Sequence, residues 1–232
     1  MTVRIEGLVH VYKSPAAATH VVPVVEIDAW TIDDGEQILL RGVSGSGKTT
    51  LFNIMTGLLR PTKGDVWYGD TSLYSLSEAA RDRFRAQTIG YIFQSHFLLN
   101  TMTATENVQM PMAFAREQPP AQWAARATTL LEQLGLGDRL HHRPAQLSTG
   151  QRMRVAVARA LANTPQVVFA DEPTAALDDE SADTVMDLIQ ETCRANNAIL
   201  IVASHDPALT PRFTRFADLK AGHLTEHEGQ AV

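Results

Sequence analysis

With a single cysteine, Cys193, among 232 residues, the chain cannot close an internal disulfide, which is compatible with a reducing compartment. Cys193 reads as a helix-face residue. No run of lysine and arginine forms a stripe, and the formal net charge is −6, which argues against a protein built to grip nucleic acid. No apolar run approaches the roughly 18 to 20 residues that span a bilayer, since stretches such as VVFADE meet charge early. Work on a membrane would therefore need a partner to supply the spans. The opening MTVRIEGLVHVY has no basic lead followed by an apolar block, so no cleaved leader is expected. Internal repeats, low-complexity tracts and charge blocks are missing too, and the tail LTEHEGQAV reads as frayed.

What is present is ordinary for a packed globular chain: 44% hydrophobic and 20% charged residues, enough length for one large domain or a domain with an inserted lobe. EQILLRG, residues 36–42, reads as a short buried strand, and KTTLFNIMTGLL places Leu51, Ile54, Met55 and Leu58 at helical spacing. RPTKGDVWYGD predicts a turn and hairpin, SLSEAARDRFRAQ a helix and TIGYIFQ a strand. Between Ser95 and about Thr164 strand signals vanish and helical patterns such as PPAQWAARATTLLEQLGL take over. QVVFADEP and AILIVASHD are then apolar runs of buried parallel-strand type, separated by the amphipathic DDESADTVMDLIQETCRANN. The expected fold is α/β with a mainly parallel sheet, an N-terminal antiparallel β region and an inserted α-helical subdomain. In residues, this is a single domain, 1–232, whose core takes 1–94 and about 161–232 and whose helical subdomain takes about 95–160.

GVSGSGKTT, Gly42 to Thr50, satisfies G-x-x-x-x-G-K-[ST] between a strand and a helix, the pattern of a P-loop NTPase with a RecA-like core. Gly42, Gly45 and Gly47 let the backbone curl so that its N–H groups, including those of Ser44, Ser46 and Thr50, face a phosphate at a helix start. Lys48 reaches the β- and γ-phosphates, and the Thr49 hydroxyl is a magnesium ligand. VVFADEP delivers Asp171 and Glu172 at the end of a buried strand: Asp171 to hold magnesium, Glu172 to polarise the attacking water. His205, after AILIVAS, either donates a hydrogen bond to the γ-phosphate or is a surface residue. Gln94 either contacts magnesium and water or is a polar strand terminus. ATP and Mg2+ are the expected ligands.

Ser148 and Gln151 form an S-x-x-Q capping box before a helix whose Met153, Val157 and Ala160 face a core. Gly150 permits close backbone approach there, so the helix start is also a second anion site. Two copies arranged head to tail would each lend it to the other's nucleotide, which predicts a homodimer through shared ATP sites.

GVSGSGKTT, Gln94, LSTGQ, VVFADEP, TAALD and His205, in that order and spacing, resemble the nucleotide-binding subunits of ABC transporters over nearly the whole chain. The resemblance implies that LSTGQ is the signature, normally LSGGQ, that completes the partner's ATP site. It also implies that Tyr12 stacks on adenine and that Asp178 communicates across the dimer. Within the family, GYIFQSHFLLNTMTATENVQMPM, HRPAQLSTG and ADEPTAALD are most similar to the lipoprotein-release and macrolide-export ATPases. That likeness implies a cytoplasmic subunit, peripheral on the inner face of a bacterial cell membrane. Its partner would be an integral membrane permease with few spans and a large extracytoplasmic domain, and its work the ATP-driven extrusion of a hydrophobic cargo. ATP-driven regulation of an envelope hydrolase, as in the cell-division relative, stays open. A DNA-repair ATPase of the same superfamily is disfavoured, because only a short helical lobe separates phosphate loop and signature. Two departures stand out: Thr149 replaces the first signature glycine, with slower or weaker closure expected, and KSPAAATHVVPVVEIDAW differs from the usual approach to the phosphate loop. Phe97, Leu98 and Leu99, just past Gln94, are either a groove for a helix of the membrane partner or core.

Overall fold

The structure is a computed structural model that describes residues 1–12, 22–175 and 177–228. The chain divides into two compact units, Met1–Asp82 with Ala203–Val232, and Arg83–Val202.

In the first unit, β1 (Val3–His10) pairs antiparallel with β2 (Val25–Ile32), Val3 opposite Ile32 and His10 opposite Val25. Alternation drives this sheet: Val3, Ile5 and Leu8 of β1 are buried while Glu6 is exposed. On the other side of β1 lies β4 (Lys63–Tyr68), followed by the short β5 (Thr71–Ser72), giving the order β2-β1-β4-β5. This is the expected N-terminal antiparallel region. The apolar β3 (Gln37–Arg41) runs parallel to β9 (Arg215–Lys220), Leu39 opposite Phe216, and β9 pairs antiparallel with β10 (His223–Glu228).

Two local expectations need correction. The run LTEHE is not frayed but forms most of β10, because its backbone pairs with β9 and the Glu226 carboxylate accepts from Trp30 Nε1 at 2.9 Å and ion-pairs with Arg215 at 2.5 Å. The following GQAV lies outside the described residues. The helix after the phosphate loop, α1 (Lys48–Met55), buries Leu51, Phe52, Ile54 and Met55 but stops short of Leu58, which is 48% exposed. Two tyrosine hydroxyls take carbonyls that a longer helix would have used: Tyr68 donates to Met55 O at 2.6 Å, Tyr74 to Ile54 O at 2.5 Å.

The helix α2 (Glu78–Thr88) carries the chain into the second unit. There β6 (Ile89–Ile92) runs parallel to β7 (Val167–Asp171), Tyr91 opposite Phe169. Every residue of β7 is buried, as it is in β8 (Ile199–Ser204), whose last two residues belong to the first unit. Between β6 and β7 come α3 (Ala104–Ala115), α4 (Pro120–Gln133) and α5 (Thr149–Leu161), the helical stretch expected from the sequence. Thr103 and Glu106 cap α3 reciprocally, the Glu106 N–H donating to Thr103 Oγ1 at 3.2 Å and the Thr103 N–H to Glu106 Oε2 at 2.7 Å. Between β7 and β8 lies α6 (Asp179–Ala195), the most amphipathic of the described α-helices, with Val185, Met186, Ile189 and Cys193 inward.

Cys193 is 1% exposed, and burial pushes its thiol up to about 12. A thiol-specific dye is therefore expected to label the native chain negligibly over hours near neutral pH and to label it stoichiometrically in guanidinium. Rapid labelling without denaturant would mean that α6 opens locally. No helix among the described residues is long and apolar enough to cross a membrane.

Candidate nucleotide site

The phosphate loop leaves the end of β3 and turns back into α1, closed by hydrogen bonds from Ser46 N to Val43 O at 3.1 Å and from Leu51 N to Gly47 O at 2.8 Å. Lys48 is buried, and its ammonium donates to Gly42 O at 2.6 Å and Val43 O at 3.4 Å, folded over the loop. Ser46 Oγ is buried without a hydrogen-bond partner. A Cβ on Gly42 would stand 2.5 Å from that oxygen and 2.7 Å from Leu219 O. Only glycine fits against those two oxygens, and the buried Ser46 hydroxyl is left as an unpaired donor on the loop, which fits an anion such as a polyphosphate. Ser44, Gly45 and Thr49 are exposed and Thr50 half-buried on the same loop and first helical turn.

Tyr12 is in the same unit, 53% exposed, with its hydroxyl 3.2 Å from Thr50 Oγ1 and its ring edge-on to His10 at 4.7 Å between centroids. An aromatic face held beside the first turn of α1 can stack on a base. His10 was not evident from the sequence, where a histidine on a strand reads as one more alternating residue. Half of the unusual approach, residues 13–21, lies outside the described residues. His205 is exposed immediately after β8, beside the buried Ser204, whose hydroxyl accepts from Asp206 N at 3.1 Å.

In the second unit, β7 ends on the buried Asp171, with Glu172 just beyond it at φ 50° and 7% exposed. Left-handed backbone is uncommon for a non-glycine residue and costs of order 1–3 kcal/mol, so the surrounding fold fixes where this carboxylate points. Burial first, and then the Asp171 charge, push the Tyr91 hydroxyl above its ordinary range. Asp178, in the TAALD segment, caps α6: Oδ1 accepts from Ser181 N at 2.9 Å and Oδ2 from Ser181 Oγ at 3.0 Å, which holds its carboxyl below the usual range. Its neighbour Ala176 lies outside the described residues.

Gln94 is exposed two residues past β6. The turn after it carries His96 and Phe97 at φ 62° and 46°, two adjacent left-handed residues, and Phe97 is 64% exposed. At the start of α5 the capping box is formed: Gln151 N donates to Ser148 Oγ at 3.2 Å and Ser148 N to Gln151 Oε1 at 2.9 Å. Met153, Val157 and Ala160 are buried as expected. The Thr149 hydroxyl accepts from Arg152 Nη2 at 2.9 Å, while Arg152 Nη1 donates to Leu147 O at 3.0 Å. The side chain that replaces glycine is therefore anchored to its own helix. Burial and then Arg152 hold His96 below its ordinary range.

These features define a P-loop nucleoside triphosphatase: strand, glycine loop and helix in one unit, and a strand ending in paired carboxylates in the other. The family model "ABC transporter" matches residues 26–175. The chain is 45% identical over 190 residues to the lipoprotein-releasing system ATP-binding protein LolD of Pseudomonas fluorescens, covering 82% of this chain and 83% of that one. It is 43% identical over 192 residues to LolD of Pseudomonas syringae pv. tomato, covering 83% and 84%. The ATP-binding cassette MJ0796, solved as a dimeric post-hydrolysis state bound to ADP and Pi, superposes with a TM-score of 0.91 at 31% identity, covering 99% of this chain and 100% of that chain. A second dimeric structure of MJ0796, described as a bacterial ABC transporter cassette, gives 0.91 at 30% identity, with 99% and 100% covered. The chain belongs to the ABC transporter family, and it is an ATPase.

Proposed function

We propose that this chain is the ATP-hydrolysing subunit of a lipoprotein-release type extrusion system. It acts as a head-to-tail pair in which each copy's α5 start completes the other's nucleotide site. The observation that carries this reading is the capped start of α5, where the exposed Ser148 and Thr149 and the half-buried Gly150 open a helix N-terminus outside the unit that bears the phosphate loop. A second anion site has a use if the phosphate comes from another copy. The dimeric MJ0796 cassettes, at 31% and 30% identity, support the pairing, and the LolD relatives support the transport class.

In this reading Tyr12 stacks on adenine. The N–H groups from Gly42 to Thr50 hold the phosphates, and Lys48 neutralises charge on the β- and γ-phosphate oxygens. Thr49, Asp171 and Gln94 are oxygen donors suited to Mg2+, which would offset charge on those same oxygens when bound. Glu172 accepts a proton from the water that attacks the γ-phosphorus as the bond to the bridging oxygen breaks, yielding ADP and phosphate, and His205 donates to the developing charge. Asp178 carries the state of one site to the other across the pair. The membrane subunit supplies the spans, no helix among the described residues being long and apolar enough to cross a membrane, and a large extracytoplasmic domain. The chain sits on the inner face of a bacterial cell membrane, and the cargo is a lipid-modified protein or another hydrophobic molecule.

Mild detergent extraction of cells carrying the tagged full-length chain tests this. A membrane subunit with few spans and a large extracytoplasmic domain is expected to copurify and to raise ATP turnover when reconstituted. Stable recovery of an importer with many spans instead would refute the transport class.

A further inference from the structure

Two features of the second unit are independent in sequence but meet in space. One is the strained turn after Gln94, where His96 and Phe97 both adopt left-handed backbone at φ 62° and 46°. The other is Arg159, ten residues past Thr149 on α5. Its Nη2 donates to His96 O at 2.5 Å and its Nη1 to Phe97 O at 2.6 Å. A charged fork on two successive carbonyls is the arrangement that holds a backbone in a conformation its residues do not favour. Within the turn the N–H groups are already engaged, His96 N donating to Phe93 O at 3.0 Å and Phe97 N to Ser95 O at 2.7 Å, but neither residue is a glycine, and it is Arg159 that takes the two carbonyls on the other side of the strained backbone. Arg159 is set on a rigid element, between the buried Ala158 and Ala160, on a helix fixed at its start by a capping box.

We infer that Arg159 is a positioning residue for Gln94: it clamps the turn that follows Gln94, and so ties the place of the Gln94 amide to the same helix that begins with Ser148 and Gly150. This rests on the role given to Gln94 above. When α5 moves, the turn must move with it or lose both hydrogen bonds, and release of the turn lets His96 and Phe97 relax toward ordinary backbone angles. Gln94 then loses its fixed position. The clamp is therefore a two-state element, since strained and relaxed backbone are separate basins.

The test uses the full-length chain and steady-state ATP turnover. Arg159→Leu removes both donors and is expected to lower kcat about ten- to a hundredfold, as misplacement of a reacting group by about an ångström does, with KM for ATP changed less than about twofold. Arg159→Lys, which retains the charge but lacks the fork, is expected to fall between. Adding His96→Gly and Phe97→Gly to either variant supplies residues at ease in left-handed backbone, and is expected to recover most of kcat without recovering the thermal midpoint. That split separates positioning from folding. If kcat is unaltered in the folded Arg159→Lys and Arg159→Leu proteins, or if activity and midpoint fall together and the glycine pair restores neither, the inference is overturned. Gln94→Ala runs beside them. A loss of kcat there with no loss in the Arg159 variants overturns the clamp alone, whereas no loss in Gln94→Ala overturns the role of Gln94 and the clamp with it.

Discussion

Glu172→Gln is expected to cut steady-state ATP turnover by about 10² to 10⁴ fold while leaving nucleotide binding intact. The substitution keeps size and shape but replaces a carboxylate that can take a proton with an amide that cannot. Glu172 is 7% exposed and sits at φ 50° directly after the fully buried β7, so its backbone is not free to re-aim a neighbour as a substitute. Because cleavage is blocked and binding is not, two copies should accumulate as an ATP-dependent pair visible by sedimentation, and the pair should disperse when ATP is replaced by ADP. Glutamine is isosteric and hydrogen-bonds from the same position, so the thermal midpoint should move by no more than a few degrees. Turnover equal to the parent would remove Glu172 from the chemistry. A variant that hydrolyses slowly yet never pairs would leave the base in place and sink the head-to-tail arrangement.

What could be read from the sequence was local. The phosphate loop is a contiguous run whose strand and helix context sits on either side of it, and β7 is an apolar run ended by two acids, so both are written in neighbouring residues. The Ser148–Gln151 box was legible for the same reason. The strand β10 was not, because LTEHE has one apolar residue and owes its conformation to pairing with β9. Nor could the parallel neighbours Leu39 and Phe216 be matched, since 177 positions separate Leu39 from Phe216 and local pattern carries no register at that range. Arg159 illustrates a further limit: a charged residue in the run AVARAL reads as a solvent-facing break in an apolar helix, whereas its fork reaches carbonyls more than sixty residues earlier. Asp178 shows the converse, a residue singled out by resemblance whose visible contacts are those of a helix cap.

Gly47→Ala is expected to abolish measurable ATP binding and, with it, hydrolysis. Gly47 sits at φ 105°, outside the region open to residues with a Cβ. An added Cβ would also stand 2.7 Å from Val24 O, a backbone atom, and 3.4 Å from Val25 Cγ2. Val24 cannot yield cheaply, because its N–H is bonded to His10 O at 2.9 Å and the next residue begins β2. The loop must rotate instead. That breaks the 2.8 Å bond from Leu51 N to Gly47 O and swings Lys48, the adjacent residue, away from Gly42 O. Strain and clash together should cost about 2–4 kcal/mol, a fall in thermal midpoint of several degrees at least for a chain of this size. Gly45→Ala separates the two causes: Gly45 has φ 79°, but a Cβ there meets nothing within 4 Å. It should pay backbone strain alone, about 1 kcal/mol, and retain calorimetrically detectable ATP binding. Equal affinities in the two variants would mean that the close approach of Val24 O does not set the shape of the phosphate loop, and that the anion is held by Lys48 and the helix start without help from the curl between them.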